Sequence, residues 1–409
     1  MLRFLTAGES HGPGLTVIIE GLPAGLHISE DDISRDLSRR QVGYGRGARM
    51  QIEQDHAVIR SGVRHGLTMG SPIGLTIENR DWANWGETMS IEPSSVPFDK
   101  ILKIRPGHAD TPGIAKYMQD DARNILERSS ARESTSRVAA GAIARRFLEE
   151  FGIQVNSHVT VLGGVHANPT YPIDWTTLED TPYHPEDRPA ASKMAAVRCA
   201  DPAAAEKMIN EIDSARADGD SLGGVIEIIA TGAPIGLGSH IHWDRKLTTK
   251  LAAAVMSINA VKGVEFGAGF DQGDLRGSTT HDVVKPIDEW EKLPDGNWEK
   301  PWPRKTNNSG GLEGGMTTGE PVVVRAVVKP IATIINGLPT VDLSSGELVE
   351  RAHFERSDIT FVPTCATIGE SMVALVLAEA LLEKFGGDHI EETKRNWKSY
   401  MATTGPRRE

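Results

Sequence analysis

Alternation of apolar and polar residues marks five strand-like runs bounded by turn residues, at 15–20, 73–78, 155–162, 224–230 and 321–328. Between them the spacing changes to that of a helix. Over 133–151 the apolar positions Ala140, Ala144, Phe147 and Phe151 share one face, Arg145, Arg146, Glu149 and Glu150 take the wet side, and Gly152 supplies the stop. Further helices are predicted at 202–217, at 244–258 with Leu247, Leu251 and Val255 in register, and at 369–385 ahead of Gly386 and Gly387. The last is apolar nearly all round, which assigns it to the core or to a subunit contact. The mixture reads as α/β or α+β, without an internal repeat. No Ser/Gly or Pro-rich linker divides the chain, so one domain is expected. Two stretches read as surface excursions: 167–189, with five prolines, and 288–306, with Trp290, Trp298 and Trp302 among prolines and charges.

Composition narrows the function class. Of 409 residues, 39% are hydrophobic and 24% charged, which allows a large core and excludes general disorder. There are 44 basic against 56 acidic residues, a net charge of −12, so long-range attraction to nucleic acid or to an anionic membrane is not favoured. Any anion site must be local. No apolar stretch follows the single arginine of the opening MLRFLTAGESHG, and the greasiest run, 372–382, is short and interrupted by Glu379. Two cysteines, Cys199 and Cys365, can build neither a disulfide framework nor a zinc site. A cytoplasmic protein is expected.

Several short motifs carry candidate chemistry. Gly8-Glu9-Ser10-His11-Gly12 matches GxSxG, the nucleophile elbow of serine hydrolases. That elbow needs a strand before the serine and a helix after it, whereas Pro13-Gly14 here leads into the β-branched run Leu15 to Ile19. The alternative is a tight turn carrying His11. Arg39, Arg40, Arg46 and Arg49 are threaded through Gly43-Tyr44-Gly45-Arg46-Gly47, where glycines admit a ligand and guanidinium groups can clamp phosphate or carboxylate; a solvated basic loop is the plain alternative. Arg105-Pro106-Gly107-His108-Ala109-Asp110 sets an imidazole beside a carboxylate able to fix its tautomer. Arg128-Ser129-Ser130-Ala131-Arg132-Glu133 precedes a helix and offers hydroxyls, backbone N–H groups and cations to a phosphate, or only a capping box from Ser130 to Glu133. The run 307–316 is glycine-dense yet is neither GxGxxG nor a Walker loop; close backbone packing on a flat cofactor or a flexible turn would explain it. His240 and His242 are the only close histidine pair, so no metal site is assigned.

Taken together, GESHG, RRQVGYGRGARM, RPGHAD, RSSARES, MSINAVKGVEFGAGF and NNSGGLEGG, in that order, resemble the chorismate synthase family over nearly the whole chain, from Thr6 to about Leu382. The resemblance implies α+β architecture, a single large β-α-β sandwich domain over 1–386 followed by a polar C-terminal tail at 387–409. It implies a 1,4-anti elimination of phosphate and a C6 hydrogen from 5-enolpyruvylshikimate 3-phosphate, giving chorismate. The reaction requires reduced FMN without net redox change. It further implies a homotetramer and, as the source of reducing equivalents, NADPH or a separate flavin reductase. Carried over by motif, His11 resembles the acid that protonates departing phosphate, His108 the histidine that protonates reduced flavin, and Asp358 the base acting with the flavin. FMN contacts are expected at Arg128, Ser129, Ser130, Asn259, Ala260, Gly314, Arg356 and the stretch Lys329, Pro330, Ile331, Ala332, Thr333, the last more through backbone than side chains. Substrate contacts are expected at Ser10, Arg40, Arg46, Arg49, Arg105 and Arg132, with Arg40 and Arg46 also matching family positions assigned to NADPH. The chain departs from the common RHDP form at Arg356-Ser357-Asp358-Ile359, and the Trp-bearing stretch before Asn307 reads as an insertion.

Overall fold

The computed structural model describes residues 1–46, 55–93, 98–179, 192–294, 296, 298–355 and 358–406. Four strands, β1 (Arg3–Ala7), β2 (Gly14–Glu20), β3 (Ala57–Ser61) and β4 (Ile73–Glu78), form an antiparallel sheet in the order β1-β2-β4-β3. A second antiparallel sheet takes β5 (Gln154–Leu162), the two-residue β6 (Val165–His166), β7 (Gly224–Thr231), β8 (Val261–Phe266) and β9 (Val322–Val328) in the order β8-β9-β7-β5-β6. Period-two patterning sets the faces: Leu15, Val17 and Ile19 of β2, and Val322, Val324, Ala326 and Val328 of β9, all point into the core.

Helices α1 (Glu30–Gln41), α2 (Asp110–Tyr117), α3 (Arg123–Ser129), α4 (Ser134–Glu149), α5 (Pro202–Asp218), α6 (Leu247–Met256), α7 (Val362–Phe385) and α8 (Ile390–Thr403) complete the main elements. α4 packs on β1 and β2, and α7 packs on α4 and on β5 and β7 of the second sheet. The chain is thus mixed helix and sheet, as α+β requires, with the apolar helices against the inner sheet faces. α7 is long and apolar enough to cross a bilayer, yet 89% of its most apolar window is buried inside the protein. It is a core helix.

The contact between α4 and α7 depends on one missing side chain. A Cβ on Gly141 would stand 2.3 Å from Ser371 Cβ and 2.6 Å from Ser371 Cα. Arg145, read from periodicity as a wet-side residue, is instead buried. It joins Arg39 and Arg198 around Glu370, which also accepts the hydroxyl of Ser157 at 2.6 Å. This ion cluster lies among α1, α4, α7 and β5.

Three further expectations change. The helix expected at 369–385 begins at Val362, with Pro363 in its first turn, where a missing N–H costs nothing. The polar segment from 387 onward carries α8, capped by His389 and packed on the core through Trp397 and Tyr400. The glycines at 310 and 311 pack on the chain itself: Cβ atoms there would meet Gly267 N at 2.4 Å and Pro321 O at 2.4 Å. Trp290 meets Trp298 and Trp302 edge-on at centroid distances of 5.2 and 5.0 Å, so the excursion at 288–306 has packed indoles. Part of the other excursion, 180–189, lies outside the described residues.

Candidate active site

The turn between β1 and β2 carries Ser10 and His11, and a strand rather than a helix follows it. The nucleophile-elbow context is therefore absent. Asn79 ties the turn down: its Nδ2 donates to the carbonyls of Glu9, Ser10 and Gly12 at 3.1, 3.3 and 2.7 Å, while its Oδ1 accepts Arg132 Nε at 2.9 Å. Ser10 Oγ lies 3.1 Å from Ser130 Oγ. Ser130 caps the short 3-10 turn at Ala131–Glu133 by accepting the Arg132 N–H. The expected capping box to Glu133 does not form, because the Glu133 carboxylate turns to Arg137 at 2.9 Å.

Arg132 and Arg40 converge on Asp55. Arg40 Nη2 donates to Asp55 Oδ2 at 2.5 Å and Arg132 Nη1 donates to Oδ1, all three side chains being buried. Arg40 feels Arg46 as well as Arg132, and burial is the main cause that lowers its proton affinity. Burial alone would raise the Asp55 pKa, but Arg40 and then Arg132 outweigh it and hold the carboxyl below its usual range. Arg46 pairs with Asp358 at 3.1 Å and donates to Thr364 Oγ1. Among the described residues the buried Arg40 and Arg132 and the half-buried Arg46 thus gather about Asp55 and Asp358, and Arg40 Nε is buried without a hydrogen-bond partner among them. Such a cluster of guanidinium groups suits an anionic ligand.

A second cluster adjoins α2. The Asp110 carboxylate accepts Arg105 Nε at 2.9 Å, Arg105 Nη2 at 2.9 Å and the Arg105 backbone N–H at 3.0 Å, and its Oδ1 lies 2.5 Å from His108 Nδ1. Burial pushes the Asp110 pKa up, but the bonds from His108 and Arg105 outweigh this and bring it far down. The tautomer with hydrogen on His108 Nδ1 follows. Arg105 Nη1 also donates to Thr333 Oγ1 at 3.3 Å. A small core of Ile101, Ile104, Ile114, Ala122 and Leu126 joins this stretch to α3, which bears Glu127, Arg128 and Ser129.

The expected flavin contacts fall mostly along one rim. Arg128 donates to the carbonyls of Thr6 and Gly8 at 2.9 and 3.1 Å, and Asn259 Nδ2 donates to the Ser129 carbonyl at 3.1 Å. Ala260 adopts the left-handed region with φ 72° and accepts the Lys329 N–H at 2.9 Å, while Lys329 Nζ donates to the Gly107 carbonyl. Burial, with a smaller contribution from Lys262, lowers the Lys329 pKa. The Ile331 carbonyl accepts Ser221 Oγ at 2.8 Å, which holds the 329–333 stretch by its backbone. Gly314 stands apart, its nearest side chains being Met316 and His240. Arg49 and Arg356 lie outside the described residues.

Sequence reasoning missed Asp55, Asn79, Glu127, whose carboxylate lies 2.9 Å from His11 Nδ1, and Trp85, whose ring centroid lies 3.9 Å from that of His11. Each is far along the chain from the motif it serves, and no local spacing marks it.

A family model described as chorismate synthase matches residues 2–382. Among curated relatives, the chain is 52% identical over 401 residues to a chorismate synthase of Syntrophotalea carbinolica, covering 98% of this chain and 97% of that one. It is 51% identical over 404 residues to that of Geobacter sulfurreducens, covering 98% of each. It is 50% identical over 400 residues to that of Bacillus subtilis, covering 97% of each. A crystal structure of a chorismate synthase superimposes with a TM-score of 0.72 at 39% identity, covering 98% of both chains.

Proposed function

The chain belongs to the chorismate synthase family, and from that premise we propose that the arginine-lined site behind the Ser10-His11 turn eliminates phosphate from 5-enolpyruvylshikimate 3-phosphate to give chorismate. The observation that carries this reading is the gathering of Arg40, Arg46 and Arg132 about Asp55 and Asp358. A substrate with one phosphate and two carboxylates can take charge-assisted bonds from these guanidinium groups.

In this reading His11 protonates the phosphate as its C–O bond breaks, and the bond's electron pair departs with the phosphate oxygen. Ser10 and Arg132 hold the same turn in register. Arg105 binds a substrate carboxylate next to His108, whose Nδ1 is tied to Asp110, leaving its other edge for proton exchange with flavin. The rim of hydroxyls, amide, guanidinium and ammonium groups at 128–130, 259–260 and 329–333 fits a phosphate-bearing flavin. Bound in its reduced form, FMN supplies the acceptor for the C6 hydrogen. Asp358 keeps negative charge at that side of the site, held in place by Arg46. Burial of Arg40 and Arg46 beside Asp55 and Asp358 favours a substrate role for them over an NADPH role.

The same reading makes the protein a cytoplasmic homotetramer, with reduced flavin supplied through NADPH or by a separate reductase. The exposed cross-strand pair Leu5 and Ile18, 71% and 45% accessible on the open face of the first sheet, supports burial against another subunit.

The deciding experiment is anaerobic incubation with 5-enolpyruvylshikimate 3-phosphate and chemically reduced FMN, with phosphate and chorismate both measured. Equimolar release of the two, with flavin still reduced at the end, is expected. Substrate binding without release of either, or equal rates with oxidised flavin, overturns the proposal.

A further inference from the structure

Glu127 sits on α3 with its carboxylate buried, 116 residues away in sequence from the turn it serves. Its Oε2 accepts the backbone N–H of His11 at 2.8 Å, and its Oε1 lies 2.9 Å from His11 Nδ1. Its backbone carbonyl accepts the N–H of Ser10 at 3.0 Å. One residue therefore holds two consecutive turn amides and the ring. The opposite constraint comes from Trp85, stacked on the imidazole at a centroid distance of 3.9 Å and itself tied by its indole N–H to Asp81 at 3.0 Å. The ring can neither swing nor flip without breaking these contacts.

The charges around the imidazole alternate. Arg123, also on α3, donates to Glu127 Oε1 at 3.0 Å and to Glu355 Oε1 at 3.0 Å, and lies 5.0 Å from the Trp85 ring centre. Glu355 pairs further with His353 at 3.3 Å. Burial works to raise the Glu355 pKa, but His353, Arg123 and His11 together bring it down to about 2. Around His11 thus stand Glu127 and Arg123 from α3, Glu355 and His353 from the segment before Asp358, Asp81 behind Trp85, and Arg132 reached through Asn79 and the turn.

We infer that Glu127 is a positioning residue for His11: it holds the imidazole with the Nδ1 hydrogen on its carboxylate, assigns proton transfer to the Nε2 edge, and stabilises the imidazolium. The inference rests on the proposal that His11 is the acid. A carboxylate suits the task because, when ionised, it accepts only, so its partner nitrogen must carry hydrogen. Arg123 bridges the buried Glu127 and the half-buried Glu355, so the two carboxylates share one guanidinium partner. The transfer itself balances simply: the Nε2–H bond breaks, a phosphate O–H forms, and the electron pair of the N–H bond stays on the imidazole.

The test uses the full-length enzyme with reduced FMN and compares wild type, Glu127→Gln, Glu127→Asp and His11→Ala. Glutamine keeps the shape of the side chain but removes the counter-charge. Its alkaline limb in kcat should therefore move to lower pH by about one unit or more, with kcat down at least about tenfold and KM nearly unchanged, as for a histidine deprived of its orienting carboxylate. Aspartate should recover part of both effects. Nitrogen-15 spectra of the histidine rings should give the Nδ1–H tautomer for neutral His11 in wild type and a mixture in Glu127→Gln. Wild-type kcat and an unmoved limb in Glu127→Gln, while His11→Ala abolishes the limb, overturn the role of Glu127 alone. An Nε2–H tautomer in wild type does the same even if both Glu127 variants fail to fold. Full activity and an intact limb in His11→Ala remove the acid itself and the inference with it.

Discussion

Replacing Arg132 with alanine should raise the substrate KM or Kd by the loss of one or two charge-assisted bonds, on the order of 1.5–3 kcal/mol. Lysine should restore only part of this, because Arg132 uses Nε on Asn79 and Nη1 on Asp55 at once and a point charge cannot reach both. Calorimetric titration with substrate measures both variants. Unchanged affinity would assign Arg132 to holding the Asn79 turn alone. A second residue prediction concerns Asp358. Asp358→Asn should bind flavin and substrate nearly as the parent does but turn over far more slowly, the loss falling in kcat. If its only task were to pair with Arg46, 3.1 Å away, substrate affinity would weaken and saturating kcat would survive. At this scale the sequence was legible where partners lie close along the chain. Arg105, His108 and Asp110 could be read as a unit because six residues bound the search, and Asp110 does meet His108. Nothing local linked His11 to Glu127, or Arg40 and Arg132 to Asp55, because those pairings arise only when separate elements meet.

Elements were legible where one face is buried and the other wet. The runs expected at 15–20, 73–78, 155–162, 224–230 and 321–328 appear as β2, β4, β5, β7 and β9 with ends moved by no more than a residue, since alternation along a half-buried strand is written directly in the chain. β1 was not, for Leu5 faces outward on an edge strand. α1 escaped because its inner face rests on Ile33 and Leu37 while acidic and basic residues fill the rest; its signal was the capping box of Ser29 and Asp32. The early start of α7 was masked by Pro363 and by Gly369, which read as a boundary but lies in the helix where a Cβ would meet Ile228 Cδ1 at 2.5 Å. Gly141 makes the same argument testable. In an isolated helix, alanine there would gain about 1 kcal/mol over glycine. Here the new methyl would meet Ser371 at its Cβ and Cα, atoms that cannot turn aside, so α4 and α7 must separate. Overpacking of this kind costs about 1–3 kcal/mol and wins. Gly141→Ala should therefore lower the urea midpoint with an unchanged m-value, and a rise in the midpoint would show that the two helices yield more easily than their packing implies.

For the whole molecule, composition and alternation made the α+β class and the large core legible, while the charge buried in the middle of the core was not. Glu370 is fully buried with Arg39, Arg145 and Arg198 around it, each more than a hundred residues from it along the chain. Periodicity sorts residues into wet and dry faces and has no way to show that a charged stripe on one helix meets its opposite on another. That cluster ties acid stability to the centre of the fold. Burial alone would raise the Glu370 pKa, but Arg39, Arg145 and Arg198 outweigh it and bring it down to about 2. In the unfolded chain a glutamate titrates near ~4.3. The unfolded state therefore binds the proton first as pH falls, so the stability that Glu370 contributes is complete above about pH 4.3 and is lost progressively as pH falls below it. Removing the charge has a different signature. Glu370→Gln leaves three guanidinium groups with Asp36 as the carboxylate still beside Arg39 and Arg145, and should be less stable already at pH 7 by about 3–5 kcal/mol, the usual cost of orphaning buried charge. Its unfolding free energy should then fall less steeply than the parent's between pH 5 and pH 3. Urea unfolding at pH 7, 5, 4 and 3 measures both effects. Parallel slopes for parent and variant would show that the acid sensitivity belongs to the depressed carboxyls of the active site, Asp110 and Glu355, rather than to the helices at the core.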